Sequence, residues 1–114
     1  MIQVTIFRDS EESGDVFTGV ELSGHAGYAE SGRDIVCAAV SALVLNMANS
    51  VEAFTEDGFE GEMDEQTGGF SFHFTAEIRP ESQLLMNSLV LGLRNIEKDY
   101  GKSYINVKYK ESPR

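Results

Sequence analysis

The sequence predicts an α+β domain: a single, mostly antiparallel sheet with two helices packed on one face. Three observations carry that expectation. Short stretches alternate apolar and polar residues at the strand period. Two longer stretches repeat apolar residues at intervals of three and four, the helical period. Their order along the chain is strand, strand, helix, strand, strand, helix, strand. The order of strands within the sheet does not follow from this. At 114 residues, with 41% hydrophobic and 25% charged, the chain fits one domain, 1–114, with a core that needs no staples.

In MIQVTIFR, residues 1–8, Ile2, Val4 and Ile6 alternate with Gln3, Thr5 and Phe7, which gives a strand with one strongly apolar face. DSEESGD is a turn by composition. VFTGVELSG, with Val16, Thr18, Val20 and Leu22 at alternate positions, is a second strand that completes a hairpin. Residues 24–32 form a loop. From Asp34, a plausible N-cap, the pattern becomes helical, with Val36, Val40, Leu43, Met47, Val51 and Phe54 on one stripe. Ile35, Val44 and Leu45 add apolar side chains beyond that stripe. Such a helix is expected to be buried on several sides, and a dimer interface could supply the extra burial.

Asp57-Gly58 and Thr67-Gly68-Gly69 carry turn signals, so GFEGEMDE and GFSFHFTAEI are two more strands, with Phe70, Phe72 and Phe74 on a core face. Pro80 opens a helix over Glu81–Tyr100, striped by Leu85, Leu89, Gly92 and Ile96, with Gly101 as its C-terminal cap. SYINVKYK closes the domain as a last strand.

The formal net charge of -10 argues against nucleic acid or an anionic membrane as partner, since both select clustered Lys and Arg. It favours basic partners, or simply a solvated acidic surface. A single cysteine cannot form an internal disulfide, and MIQVTIFRDS has no basic lead followed by an apolar run, so a cytoplasmic protein is expected. IVCAAVSALVLNMA, interrupted by Ser41 and Asn46, reads as too short to span a bilayer.

The stretch that carries chemistry is GHAGYAESGRDIVCAAVSAL, residues 24–43. With Asp34 as N-cap, Cys37 falls in the first helical turn, beside unpaired amide N–H groups and the positive end of the helix dipole. That setting favours a thiolate and can hold an oxyanion. Arg33 helps; the Asp34 carboxylate opposes, and would serve better as a cap or as an orienter of a histidine. The plainer alternative is a small apolar residue in a core helix.

His25 could shuttle the proton such a thiolate needs, or could simply end a strand in solvent. Gly24, Gly27 and Gly32 make the intervening loop pliable and suit it to closing over a substrate. Asp34, Cys37 and Ser41 share one helix face. Ser41 could hydrogen-bond the thiolate or the substrate, or back-bond to the Cys37 carbonyl. His73 reads as a solvated strand histidine. The single Cys and two distant His have no zinc-ligand spacing, so no metal and no cofactor are expected, and the glycine loop lacks the Lys and Ser/Thr of a phosphate-binding loop.

The same segment resembles the signature of the bacterial ribosomal-processing cysteine protease family. In that signature Gly-His-Ala is followed, after a glycine-containing loop, by Asp-Ile-Val-Cys-Ala and a Ser. The match is dense over residues 24–43 and architectural elsewhere. The resemblance implies an α+β homodimer that removes a short N-terminal extension from a basic large-subunit ribosomal protein, cutting after aromatic residues. It implies Cys37 as nucleophile, His25 as catalytic histidine, Asp34 and Ser41 as supporting residues, and the Gly24–Gly32 segment as a mobile substrate loop. Two rival readings stay open on the residues alone: a non-enzymatic, dimeric ribosome-associated accessory protein with a structural thiol, and a redox sensor acting through Cys37.

Overall fold

The computed structural model describes residues 1–11, 14–24, 31–64, 66 and 68–112. The elements follow the expected order: β1 (Ile2–Glu11), β2 (Gly14–Ser23), α1 (Ser31–Phe54), β3 (Phe59–Asp64), β4 (Gly69–Phe74), α2 (Pro80–Tyr100) and β5 (Ile105–Glu111). They build one sheet in the order β3-β4-β2-β1-β5. Every neighbouring pair is antiparallel except β1 and β5, which run parallel with Ile2 opposite Ile105. The α2 crossover carries the chain from β4 past two strands to the far edge, and a crossover of that kind permits a parallel neighbour.

Strand alternation sorts the sheet into two faces. Cross-strand partners share a face, so Ile6, Val20 and Phe72 lie in one row, and Val4, Leu22 and Phe70 in the next. These side chains meet Val36, Val40, Val44, Met47 and Val51 of α1 and Met86, Leu89, Val90 and Leu93 of α2 in a single core. Both helices therefore cover the same face, as expected. Each fully buried aliphatic or aromatic side chain contributes about 1.5–3 kcal/mol relative to exposure.

The details depart from the periodic reading at several points. The α2 stripe is Ser82, Met86, Leu89, Val90 and Leu93, rotated by about one residue from the expected one. Gly92 lies on the flank facing α1, where a Cβ would come 2.9 Å from Leu43 Cδ1, so the helices approach closely there. On α1, Phe54 is 80% exposed and Ile35 57% exposed, although Phe54 belongs to the apolar stripe. The helix stops burying residues at Val51, because Thr55 caps it there by bonding the Val51 carbonyl through both its N–H and its hydroxyl. The remaining side of α1 is not buried in this chain. It exposes Ala38, Ala42, Asn46, Asn49 and Ala53 at intervals of three and four, and its alanines favour the helix itself. By length and composition alone, Ile35–Phe54 is long enough to cross a membrane, contrary to the reading that it is too short. Its packing on the sheet through Val36, Val40, Val44, Met47 and Val51 accounts for the apolar content instead.

One latch has no signature in the local sequence. The buried Asp57 carboxylate accepts bonds from the Arg79 N–H (3.0 Å) and Arg79 Nη1 (2.8 Å). The Ser82 hydroxyl, then the Arg79 amide and guanidinium, hold its pKa below the usual carboxylate value, against the opposing effect of burial. Arg79 precedes α2 and offers no side-chain cap of its own, so Asp57 acts as the helix's cap from outside.

Candidate active site

Cys37 is half-buried on α1 and packs against the edge of the core. The helix begins at Ser31, three residues earlier than the expected N-cap at Asp34. Asp34 therefore stands in the first turn, where an acidic residue complements the dipole without capping. Cys37 belongs to the second turn, so its own amide bonds within the helix, and the unpaired N–H groups are those of residues 31–34. Helical side chains lean toward the N-terminus, which still aims a thiol at position 37 back over that first turn.

Gly32 also falls within α1 and not in the loop expected over residues 24–32. The side chain of Asp34 is not among the described parts of the structure. His25 and Gly27 lie outside the described residues. Gly24 is described, and only glycine fits it: its φ is +81°, and a Cβ would stand 2.6 Å from the Met1 carbonyl oxygen. The chain thus leaves β2 through a fixed turn anchored on the N-terminal residue, immediately before His25.

Ser41 lies one turn beyond Cys37 on the same face and is half-buried. Among the described residues its hydroxyl makes no bond to the Cys37 carbonyl. It lines a mostly apolar pocket of about 220 Å³ between α1 and the ends of β2, β3 and β4, with Leu22, Val44, Leu45, Met63, Phe70, Asp64 and Gly68. Leu22 pairs with Phe70, and Phe70 with Met63, so one row of the sheet forms the floor and α1 the wall. Two residues signal this pocket in the sequence. Leu45 is apolar off the core stripe, and Met63 is the one large apolar residue in the acidic run EGEMDE.

His73 lies on the polar side of β4 as expected, but it is more enclosed than a solvated histidine. It is half-buried on the sheet face opposite the helices, its Nε2 2.7 Å from Glu21 Oε2 and its ring 5.0 Å from that of Phe7. It packs over Gly19, where any Cβ would collide with the imidazole. Strand alternation puts it on the wrong side of the sheet to reach α1. Of the two histidines in the chain, His73 is therefore not placed to serve Cys37.

A half-buried thiol on a helix face that runs into an apolar pocket, on this α+β frame, is an arrangement suited to cysteine peptidases. Comparison with known proteins makes the class specific. The family model described as cysteine protease Prp matches residues 1–106. The ribosomal processing cysteine protease Prp of Bacillus subtilis (strain 168) is 41% identical over 106 residues, covering 88% of this chain and 90% of that protein. The S. aureus protease Prp, solved with a covalently linked product peptide, superposes with a TM-score of 0.81 at 30% identity, over 96% of this chain and all of the other. The same S. aureus protease solved with a substrate peptide gives a TM-score of 0.82 at the same identity and coverage of this chain. The chain belongs to the cysteine protease Prp family.

Proposed function

We propose that this protein is a cytoplasmic cysteine endopeptidase, acting as one domain over residues 1–114, that removes a short N-terminal extension from a basic large-subunit ribosomal protein. The observation that carries the reading is Cys37: a half-buried thiol on α1, one turn before Ser41, which lines an apolar pocket, in a chain whose S. aureus relative holds a covalently linked product peptide. The net charge of -10 suits a basic partner.

In this reading the Cys37 thiolate attacks the scissile carbonyl, forming the C–S bond, and the oxyanion faces the free amides of the first turn of α1. His25, carried on the segment after Gly24, protonates the leaving amine as the C–N bond breaks. The same histidine then takes a proton from water, whose oxygen displaces the thiolate and frees the acid. Asp34 supports the charge balance of the first turn and Ser41 the substrate side. Gly24, Gly27 and Gly32 bound the segment that brings His25 to the thiol. Exposed Ile35, Leu84 and Leu91 are suited to a homodimer contact.

The test is cleavage of a peptide spanning the ribosomal-protein extension. Wild type should cut at one bond, and Cys37→Ala and His25→Ala should not. No cleavage by wild type sinks the reading.

A further inference from the structure

The net charge of -10 is an average over two unequal parts of the chain. Residues 1–93 hold three Lys and Arg against 16 acids, whereas residues 94–114 hold six against three. The second part comprises the end of α2, the turn after it and β5. Three of the chain's four tyrosines, Tyr100, Tyr104 and Tyr109, fall there too, interleaved with lysines. Among the described residues β5 pairs only with β1, so it forms an edge of the sheet. Lys108 and Lys110 stand opposite Thr5 and Phe7, exposed on the sheet face away from the helices. Lys98, in the last turn of α2, and Lys102, just beyond it, are exposed as well. Arg94 reaches β5 from the helix side, where its Nη1 donates to the Tyr109 hydroxyl (2.7 Å). Cations therefore flank this edge on both faces.

We propose that the β5 edge, with the last turns of α2, docks single-stranded RNA through its phosphate backbone. Among the described residues, Lys98, Lys102, Lys108 and Lys110 make no ion pair, whereas Arg8 and Arg79 are each paired with a carboxylate. Of the three acids in the segment, Glu111 is committed to Arg8 (3.6 Å) and Glu97 accepts the Val107 N–H (2.6 Å). The Glu97 bond decides between occupants. A Val107 amide held by α2 points away from β1, so Glu97 occupies the place where an added strand would bond. Lysines on an edge oppose strand pairing further. A peptide strand or a second copy is thus kept from extending the sheet, while a partner that reads side chains is not. Lys108 and Lys110 are about 6.6 Å apart along the strand, close to the spacing of successive phosphates in an extended single strand. Tyr100, 43% exposed between Lys98 and Lys102, offers a ring on which a base can stack. A carboxylate-bearing partner has no need of that ring. β5 lies across the sheet from β3 and β4, so RNA held there leaves Cys37 and its pocket open. The choice of RNA over other polynucleotides rests on the ribosomal substrate of the proposed function; the phosphate contact does not.

The experiment measures fluorescence anisotropy of a labelled oligouridine of about 20 nucleotides. Wild type should bind with a Kd between about 10⁻⁶ and 10⁻⁴ M. Three or four phosphate contacts predict a weakening of roughly 20- to 50-fold from about 50 to about 200 mM salt. Lys108→Gln/Lys110→Gln should bind roughly 10-fold more weakly at the lower salt, with a shallower salt dependence and unchanged thermal unfolding. Tyr100→Ala should weaken binding roughly 5-fold or more and leave the salt dependence as it is. No binding by wild type overturns the proposal, and so does binding that the double lysine variant retains in full. Polyglutamate that displaces the RNA as well as unlabelled oligouridine does, or a neutral Tyr100→Ala, assigns the edge to an acidic protein and overturns RNA as its occupant. Oligodeoxyuridine that binds more tightly than oligouridine does the same. Binding is read without catalysis, so a wild type that cleaves no peptide removes the protease reading and leaves this test of the edge intact.

Discussion

The two helices cover the same face of one sheet, yet they divide their surfaces differently. α2 buries Met86, Leu89, Val90 and Leu93 and turns Asn87, Arg94, Asn95 and Lys98 to solvent, the ordinary two-sided pattern. α1 uses one side for the core and a second, through Cys37, Ser41 and Leu45, for a half-open site. Its third side is the exposed stripe of alanine and asparagine, bounded by Ile35 and Phe54. Apolar residues between the core stripe and a pocket, Leu45 above all, therefore mark the side of α1 that works. In α2 most of the same residue types hold the layer down, while Leu84 and Leu91 stand exposed on its outer side.

The sharpest way to break this comparison is to alter each helix where its role is clearest. Cys37→Ala should abolish peptide cleavage, a loss on the order of 10⁴-fold or more, while thermal unfolding shifts little. An activity within 10-fold of wild type would place the chemistry elsewhere. Met86→Ala, fully buried in α2, should do the reverse. It should cost about 2–5 kcal/mol of stability in urea titrations, with kcat of the folded fraction retained. A neutral result would mean that α2 is not a layer of the core.

Asp57→Asn tests how α2 is started, at about 1–3 kcal/mol near neutral pH. The folded-state pKa of Asp57 is depressed, so its contribution is present above its ordinary value of 3.8 and lost as pH falls through the lower folded value. The stability gap between wild type and Asp57→Asn should therefore be constant from pH 5 to 7 (roughly) and narrow below about pH 3.8. A gap that widens in acid would reverse the assignment.

The smallest effect on stability belongs to the exposed residues. Leu91→Lys should leave the monomer's unfolding within about 0.5 kcal/mol but shift sedimentation toward monomer if Leu91 lies in the dimer contact. An unchanged sedimentation profile would count against a homodimer contact through Leu91.

Periodicity is enough to read all seven elements and the face that Ile2, Val4, Ile6, Phe72 and Phe74 share, because burial on one side writes itself into alternation. It is not enough to place β5 beside β1, since strand order depends on the path of α2 and on no local pattern. Composition misplaces the helix start because Asp34 satisfies the rule for a cap, and the first turn of a helix favours the same residue. His73 reads as solvated because its neighbours Ser71 and Thr75 are polar; its partners, Glu21 and Phe7, are distant in sequence. Cys37 and Ser41 are legible from helical spacing. Leu45 and Met63 stand out off the core stripes, but the pocket they share is not legible, because Leu22, Met63 and Phe70 come from three strands whose register no single segment encodes.

The parallel pairing of Ile2 with Ile105 has a further consequence. β1 cannot acquire its outer neighbour until β2, both helices and β5 have followed it, and contacts so distant in sequence form slowly. Until β5 arrives, β1 is an open edge able to pair with other strands. On the ribosome, the β1–β2 hairpin and both helices emerge before the sheet can close. A nascent chain therefore carries its thiol on an unfinished scaffold until β5 has emerged and paired.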